Sequence, residues 1–331
     1  MTLKDALNSF IREKGSLQDA VELYNSTNSP ERYLSLFTAA TEIRDERLGR
    51  ELTLHGHLGM ITACPLNPPC LYCSVSTNDP DEKKGRNAMS LSDLRKSAVT
   101  MKERGMAAIH LVGGTRLEGL DESVKRVVSA IREDIDIPLE ISVGPSLSVD
   151  TVRWLKAKGI FRIVCSIETI NEEAFAEAKP ADSLPRRIDF MNMLEREGVQ
   201  LKSIVMNGLG STEDLVRSIY FLRKFRNLTS VSVSTFTPIR GTPWANRRPA
   251  SVWDSLKAMA VARLLFPDAD VGLAFGGGVN FLPVTLMAGG GNTLMGMLID
   301  HAKSVDNTGQ IASIAGSFGF TLKQNRKLQT S

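Results

Sequence analysis

Three of the four cysteines in this chain, Cys64, Cys70 and Cys73, lie within ten residues of one another in the segment ACPLNPPCLYCS, 63–74. The spacing C-x5-C-x2-C puts three thiolates in one loop, and thiolates bind iron–sulfur clusters and other soft metal centres. A cubane cluster with three cysteine ligands keeps one iron open to a small molecule, much as three protein ligands leave a catalytic zinc open. The spacing therefore favours an iron–sulfur cluster.

Two other interpretations of the loop stay open. A structural zinc site takes four ligands, and Cys165, His55 or His57 are available as a fourth. The thiols could also be unligated. Four cysteines in 331 residues do not form a disulfide framework, and clustered cysteines in a reducing compartment are more often metal ligands. Three prolines, Pro65, Pro68 and Pro69, stiffen the longer arm or simply prevent regular structure there.

The composition limits the partners. The chain is 42% hydrophobic and 23% charged with a net charge of +3, which does not indicate a nucleic-acid or membrane surface. The amphipathic start carries both signs of charge and lacks the features of a secretory signal, and no apolar run reaches the length of a membrane span. We expect a cytoplasmic protein with no nucleic-acid partner and no membrane partner.

Short apolar stretches alternate with amphipathic segments from about residue 51 onward. The predicted strands are 51–61, 107–113, 139–144, 161–168, 201–208, 231–238, 270–276 and, more weakly, 284–290. The predicted helices are 90–104, 121–133, 148–158, 171–178, 185–197, 212–225, 250–266 and 292–303. Several helices end at a glycine before the next strand, at Gly105, Gly159 and Gly198.

Eight strands alternating with eight helices predict an α/β fold, a (β/α)8 TIM-like barrel with an N-terminal helical extension. A doubly wound open sheet is the structural rival. The predicted organisation is a helical extension over 1–50, the barrel over 51–317 and a polar, basic tail over 318–331. Because active sites of such barrels lie at the carboxyl ends of the strands, the cysteine segment and the motifs after later strands should share one mouth.

These motifs together resemble the radical S-adenosylmethionine (radical SAM) superfamily. The resemblance rests on a three-cysteine loop after the first strand with an aromatic residue before the last cysteine, although the usual spacing there is C-x3-C-x2-C. Over roughly 50–300 the chain is similar to biotin synthase, HydE-type maturases and the pyrrolysine-pathway mutase, notably in FTPIRGTPWA, AMAVARLLFPDADVGLAFGGG and LMAGGGNTLMG. The C-x5-C-x2-C spacing resembles the group that functions in biosynthesis of the iron-guanylylpyridinol cofactor of [Fe]-hydrogenase.

The resemblance implies a 4Fe–4S cluster on Cys64, Cys70 and Cys73, reductive cleavage of S-adenosylmethionine to a 5′-deoxyadenosyl radical, and a low-potential electron donor protein as partner. It also implies a set of residues that contact S-adenosylmethionine. Tyr72 would lie against the adenine, the backbone of Gly113, Gly114 and Thr115 would meet the amino group, Glu168 would reach the ribose or methionine end, and Arg187 (or its neighbour Arg186) would bind the carboxylate. Met206 to Gly210, including Gly208, would lie beside the adenosine, Ile239 near the adenine, and Ser142 at the third strand end.

Two departures from the family pattern matter. Thr115 stands where the family often has an acidic residue. Gly272 stands where biotin synthase has an arginine for a second, sulfur-donating cluster, and the strand ends at 139–144 and 201–208 contain no cysteine. Sulfur insertion is therefore not expected, and Cys165 is expected to be a small buried hydrophobic residue.

Two rival functions remain at this point. One is a HydE-like or mutase-like radical enzyme acting on another small molecule, and the other is a zinc-binding barrel without radical chemistry. The polar residues expected to face a substrate are Ser142, Ser166, Ser234, Thr235, Thr237 and Asn280.

Overall fold

A computed structural model describes residues 7, 10, 15–76, 87–274, 278–301 and 303–323. The helices are Leu17–Ser26 (α1), Pro30–Leu48 (α2), Leu91–Glu103 (α3), Asp121–Arg132 (α4), Val149–Ala157 (α5), Glu172–Ala178 (α6), Leu184–Arg196 (α7), Thr212–Phe221 (α8), Val252–Leu265 (α9), Leu282–Met287 (α10) and Thr308–Ser317 (α11). The strands are Glu51–Leu58 (β1), Ala108–Val112 (β2), Leu139–Ser142 (β3), Ile160–Val164 (β4), Gln200–Asn207 (β5), Leu228–Thr235 (β6), Asp270–Ala274 (β7), Thr293–Ile299 (β8), Ser304–Asp306 (β9) and Thr321–Leu322 (β10).

The strands from β1 to β8 form one parallel sheet in the order β7-β6-β5-β4-β3-β2-β1-β8. Each strand pairs with the next along the chain up to β7, and β8 returns to the free side of β1. Between β7 and β8 the described backbone contact is the hydrogen bond from Gly291 N–H to Val271 O, 3.0 Å. The sheet therefore curls into the expected TIM-like barrel, with a seam between β7 and β8. A doubly wound sheet would instead reverse its strand order at a switch point.

Local sequence signals explain where the helices begin and end. Serine side chains at the N-caps accept hydrogen bonds from the first turns of their helices, as at Ser90, Ser148 and Ser211. After α3, α5 and α7 the chain passes through Gly105, Gly159 and Gly198, all with positive φ, as helix-terminating glycines do. These caps return the chain to the bottom of the barrel at regular intervals.

The last β/α unit is where the sequence prediction was wrong. The segment predicted as a strand, 284–290, overlaps the end of helix α10, and the segment predicted as a helix, 292–303, contains β8. Pro283 suits the first turn of α10. Leucine and methionine in 292–303 favour a helix locally, but pairing with β1 satisfies the backbone of this segment. Tertiary pairing thus overrides the local preference.

Helices before β1 and residues after α11 close the barrel bottom. Helix α2 packs against α9, whose residues from Ser255 to Leu265 are all buried. Arg44 of α2 is 1% exposed and donates to Gly290 O at 3.0 Å. The start of the predicted polar tail is packed: Phe320 is buried, and β10 pairs with β1. Among the described residues, no helix is long and apolar enough to cross a membrane.

Candidate functional site

The cysteine loop, 63–76, is anchored on both sides at its centre. Leu71 N–H donates to Ala178 O at the end of α6, 2.9 Å, and Leu71 O accepts from Trp244 N–H, 3.1 Å. Cys73 N–H donates to Cys70 O, 3.2 Å, so the C-x2-C half forms a tight turn. In the longer arm, Leu66 is buried. Backbone contacts therefore fix the short half, and an apolar side chain holds the five-residue half.

Two glycines at the end of β2 allow the strand to touch the start of this loop. A Cβ on Gly114 would lie 2.3 Å from Cys64 Cα, and one on Gly113 would lie 2.1 Å from Thr62 Oγ1. Gly114 N–H donates to Thr62 O at 2.9 Å. The next residue, Thr115, has its carbonyl oxygen 3.7 Å from Cys64 Sγ. Any side chain larger than hydrogen would displace Cys64 at Gly114 and Thr62 at Gly113.

The three loop thiols are partly accessible, whereas Cys165 is buried. Burial raises the pKa of Cys73 to about 11. Burial also raises the pKa of Cys70, and the positive charge of Lys179 partly offsets this. Metal binding must therefore displace protons from these thiols.

Among the described residues, no group of three or more His, Cys, Asp or Glu side chains converges as ligands of a single ion. A structural zinc needs four ligands around one centre. A cubane cluster binds each cysteine to a different iron, so the sulfurs need not converge. The donor set fits the cluster, because three thiols lie on one anchored loop and Gly114 packs directly against Cys64.

A buried charge cluster lies beside the loop and consists of Glu168, Lys179, Asp182 and Arg187. Lys179 Nζ is 3.4 Å from Glu168 Oε1 and 3.5 Å from Asp182 Oδ2. Arg187 Nε donates to Asp182 Oδ2 at 3.0 Å, and Arg187 Nη1 donates to Ser166 O at 2.8 Å. Two cations and two carboxylates thus neutralise each other in an interior where an unpaired charge would be costly.

The pKa values in this cluster follow from its pairing. Burial opposes charge on Asp182, but Arg187 and Lys179 outweigh it and hold the pKa of Asp182 below its ordinary value. Burial and Arg187 both disfavour charge on Lys179, yet Cys70, Glu168 and Asp182 raise its pKa above the ordinary value. The lysine is therefore cationic near neutral pH.

Glu168 also has a positive φ of 58°, which is uncommon for a non-glycine residue. Its N–H donates to Ile204 O and its carbonyl accepts from Met206 N–H, at 2.9 and 2.8 Å. The strand pairing holds this conformation, and such strained residues cluster at functional sites.

The sequence left Arg186 and Arg187 as alternatives, and the structure separates them. Arg187 is 4% exposed within the charge cluster, and its guanidinium fork is already bonded to Asp182. Arg186 is about half exposed and donates to Leu117 O at 3.2 Å. Lys179 and Asp182 were missed in the sequence, because nothing in the spacing of AKPADSLPRR marks them as partners of Glu168.

An apolar wall lines the other side of the cysteine loop. Tyr72 packs with its ring centroid 6.0 Å from that of Trp244, and both contact a group with Phe236 and Met206. Ile239 lies in the turn before Trp244, where its carbonyl accepts from Thr242 N–H at 3.2 Å. The structure thus brings Tyr72 and Met206 together, with Ile239 in the adjoining turn.

The remaining predicted residues divide between the mouth and the outside of the barrel. Ser142 ends β3 and is half-buried, and Gly208 follows β5 with a φ of 104°. Thr235 faces α9 instead of the interior, since its Oγ1 donates to Ser255 Oγ at 2.7 Å. Thr237 and Asn280 are exposed. In the FGGG segment expected at the mouth, 275–277 lie outside the described residues.

Comparisons with known proteins agree with this geometry. Residues 58–223, half of the chain, match the sequence model of the Radical SAM superfamily. An uncharacterized protein of Methanocaldococcus jannaschii is 28% identical over 266 residues, which cover 79% of this chain and 69% of that protein. Biotin synthase of Thermodesulfovibrio yellowstonii is 22% identical over 266 residues, which cover 78% and 82%. The crystal structure of methylornithine synthase (PylB) shares the fold, with a TM-score of 0.81 at 20% identity and coverage of 98% and 99%.

Proposed function

The chain belongs to the radical SAM superfamily, and we propose that Cys64, Cys70 and Cys73 hold a 4Fe–4S cluster with one iron open to S-adenosylmethionine. When bound, this cluster supplies the electron that cleaves S-adenosylmethionine to methionine and a 5′-deoxyadenosyl radical, which takes hydrogen from a substrate. The observation that carries the proposal is the anchored three-thiol loop, with Gly114 in direct contact with Cys64, at the carboxyl ends of the barrel strands.

The residues around the loop have complementary tasks in this proposal. The backbone at Gly113, Gly114 and Thr115 accommodates the amino group of S-adenosylmethionine. Glu168, fixed by Lys179, accepts hydrogen bonds from its ribose or methionine end. Arg187, with its bidentate guanidinium fork, would bind the carboxylate, and it would exchange its present partner Asp182 to do so.

The adenine would lie on the apolar wall. Tyr72, Met206 and Ile239 offer apolar surface next to the cysteine loop, and Ser142 and Gly208 border the same mouth at the ends of β3 and β5. A low-potential electron donor protein would reduce the cluster from outside, since the three thiols are partly accessible.

We further propose a role in biosynthesis of the iron-guanylylpyridinol cofactor of [Fe]-hydrogenase, as in the radical SAM proteins called HmdB (or HcgA). The C-x5-C-x2-C spacing supports this assignment, and the lack of cysteines at 139–144 and 201–208 argues against sulfur insertion as in biotin synthase. Chemistry on another small molecule, as in a HydE-like or mutase-like radical enzyme, is the alternative, and the spacing of the cysteine loop argues against it.

Metal analysis tests the cluster. Anaerobically purified protein should be brown and hold about four irons per chain. Cys64→Ala, Cys70→Ala and Cys73→Ala should each lose iron, whereas Cys165→Ala, the same chemical change at a buried thiol outside the loop, should retain it. A colourless wild-type protein with one zinc would contradict the cluster.

An add-back experiment tests the pathway. A cell extract that assembles active [Fe]-hydrogenase, once depleted of this protein, should regain cofactor formation with wild type and not with Cys70→Ala. A depleted extract that still forms the cofactor would contradict the pathway role and leave the cluster assignment standing.

A further inference from the structure

A layer of charged and histidine side chains crosses the barrel interior below the mouth. The register aligns His57 of β1 with His110, His110 with Glu140, and Glu140 with Arg162. Lys202 of β5 completes the layer, because its Nζ is 3.5 Å from Glu140 Oε1. We call these five residues the barrel floor; each is less than a tenth exposed.

Within the floor, two cations contact the same carboxylate. Arg162 Nε donates to Glu140 Oε2, and Lys202 contacts the other carboxylate oxygen. Burial lowers the pKa of His110 well below its ordinary value, so this ring is neutral. Two cations therefore share one carboxylate. Asp270, at the start of β7, lies at the edge of this layer and accepts a hydrogen bond from Thr293 N–H at 3.2 Å.

Several polar atoms of the floor have no hydrogen-bond partner within the described part of the chain. They include Arg162 Nη2, both ring nitrogens of His110 and Glu140 Oε1; that oxygen has His110 Nδ1 at 3.6 Å and Lys202 Nζ at 3.5 Å as its nearest charged or ring neighbours. Buried polar groups are almost always hydrogen-bonded. Arg162 Nη2 and the His110 ring are therefore available to bond to a molecule held above the floor.

Space lies directly above the floor. Two residues further along the strands from His110, Glu140 and Lys202, the inward positions Val112, Ser142 and Ile204 are partly exposed. At Gly272 of β7, paired with Ser232, a Cβ would meet no atom within 4 Å. Strands rise about 3.3 Å per residue, so four residues from His110 to Gly114 span about 13 Å. A molecule that reached from the floor to the mouth would therefore be several carbon atoms long.

We propose that the barrel floor binds a carboxylate group of the small-molecule substrate, with Arg162 Nη2, Lys202 and His110 as the contacting groups. A carboxylate would pair with the two cations that now share Glu140, and it would accept hydrogen bonds from Arg162 Nη2 and from the one N–H of the neutral His110 ring, while the rest of the molecule extends towards the cysteine loop. Glu140 acts through Arg162 and Lys202 by holding them in place. The inference rests on the proposed radical SAM function, since it names the substrate class for that same barrel.

Calorimetric titration tests this with straight-chain dicarboxylates from malonate to adipate, each paired with its neutral diamide. The iron-loaded protein is used with S-adenosylmethionine present and no reductant, so that the mouth is already filled. At least one dicarboxylate should bind wild type roughly tenfold to hundredfold more tightly than its diamide, the range of a charge-assisted hydrogen bond.

Variants test whether the barrel floor causes the preference for a dicarboxylate over its diamide. Arg162→Gln and Lys202→Met should each reduce it to about threefold or less. Because Arg162→Gln leaves Glu140 short of a partner, the double variant Glu140→Gln/Arg162→Gln removes both charges together and should show the same loss. Arg153→Gln is the matched control on the barrel exterior, where Arg153 pairs with Glu197, and it should keep the preference.

The inference is overturned if no dicarboxylate binds wild type more tightly than its diamide, or if the floor variants keep the preference. Iron content and 5′-deoxyadenosine release are measured on the same wild-type preparation. When both are normal and the preference is absent, the floor assignment alone fails. When both are absent, the radical SAM function fails, and the substrate assignment that rests on it falls too.

Discussion

Replacing Gly114 with alanine would put a methyl group into the start of the cysteine loop. The new Cβ would lie 2.3 Å from Cys64 Cα, 2.4 Å from Cys64 Cβ and 2.4 Å from Cys64 N. These atoms belong to the backbone and to the carbon that carries the ligand sulfur, so no side-chain rotation relieves the overlap. Since carbon atoms in contact lie about 3.5 Å apart, Cys64 and the end of β2 must separate by about 1 Å.

That separation sets the size of the expected effect. A misplacement of about 1 Å in a catalytic arrangement lowers the rate on the order of 100-fold. The overpacking itself should cost about 1–3 kcal/mol of unfolding free energy. We therefore expect Gly114→Ala to fold, to lose iron and to release 5′-deoxyadenosine about 100-fold more slowly than wild type.

The assay compares three quantities for wild type and variant: iron per chain, the initial rate of 5′-deoxyadenosine release, and the urea unfolding midpoint. Gly316→Ala is the control, because a Cβ there meets no atom within 4 Å and the residue lies in α11. It should gain about 0.5–1 kcal/mol of stability and leave iron and rate unchanged. A Gly114→Ala protein with wild-type iron content and rate would refute the reasoning.

Two further predictions concern buried charge. Lys179→Met should lower the unfolding free energy by about 3 kcal/mol, because Glu168 and Asp182 lose a buried cation. The control Lys96→Met, at an exposed site, should change the unfolding free energy little. Equal losses in the two variants would contradict the pairing of Lys179 with the two carboxylates. Burial lowers the pKa of His55 to about 4 in the folded protein. Its contribution to the unfolding free energy is therefore complete above about pH 6.5, and it is lost as the pH falls towards 4. Between pH 7 and pH 5 wild type should lose about 2 kcal/mol more stability than His55→Gln in urea titrations, and parallel pH profiles would rule this out.

The fold could be predicted from sequence wherever local signals and pairing agree. Seven strands were predicted close to their observed places, from apolar runs such as AAIHLVG and from helix-ending glycines such as Gly105 and Gly159. The eighth strand could not be predicted, because Thr293–Ile299 has good helix formers and becomes a strand only through its partner β1.

The candidate site also has residues that the sequence indicates and residues that only the fold brings together. The cysteine loop is contiguous, so its spacing alone indicates the ligands, and its place after β1 puts it at the mouth. The partners of Glu168 and Arg187 come from side chains brought together by the turn between α6 and α7. In the sequence, His110, Glu140 and Arg162 are isolated polar residues in apolar strands, and only the strand register places them side by side.

Reductive cleavage of S-adenosylmethionine tests the central claim most directly. Anaerobic protein with a low-potential reductant and S-adenosylmethionine should release 5′-deoxyadenosine and methionine in equal amounts. Cys70→Ala should release neither above background, while Cys165→Ala should cleave at nearly the wild-type rate. Product formed by Cys70→Ala as fast as by wild type would contradict the account.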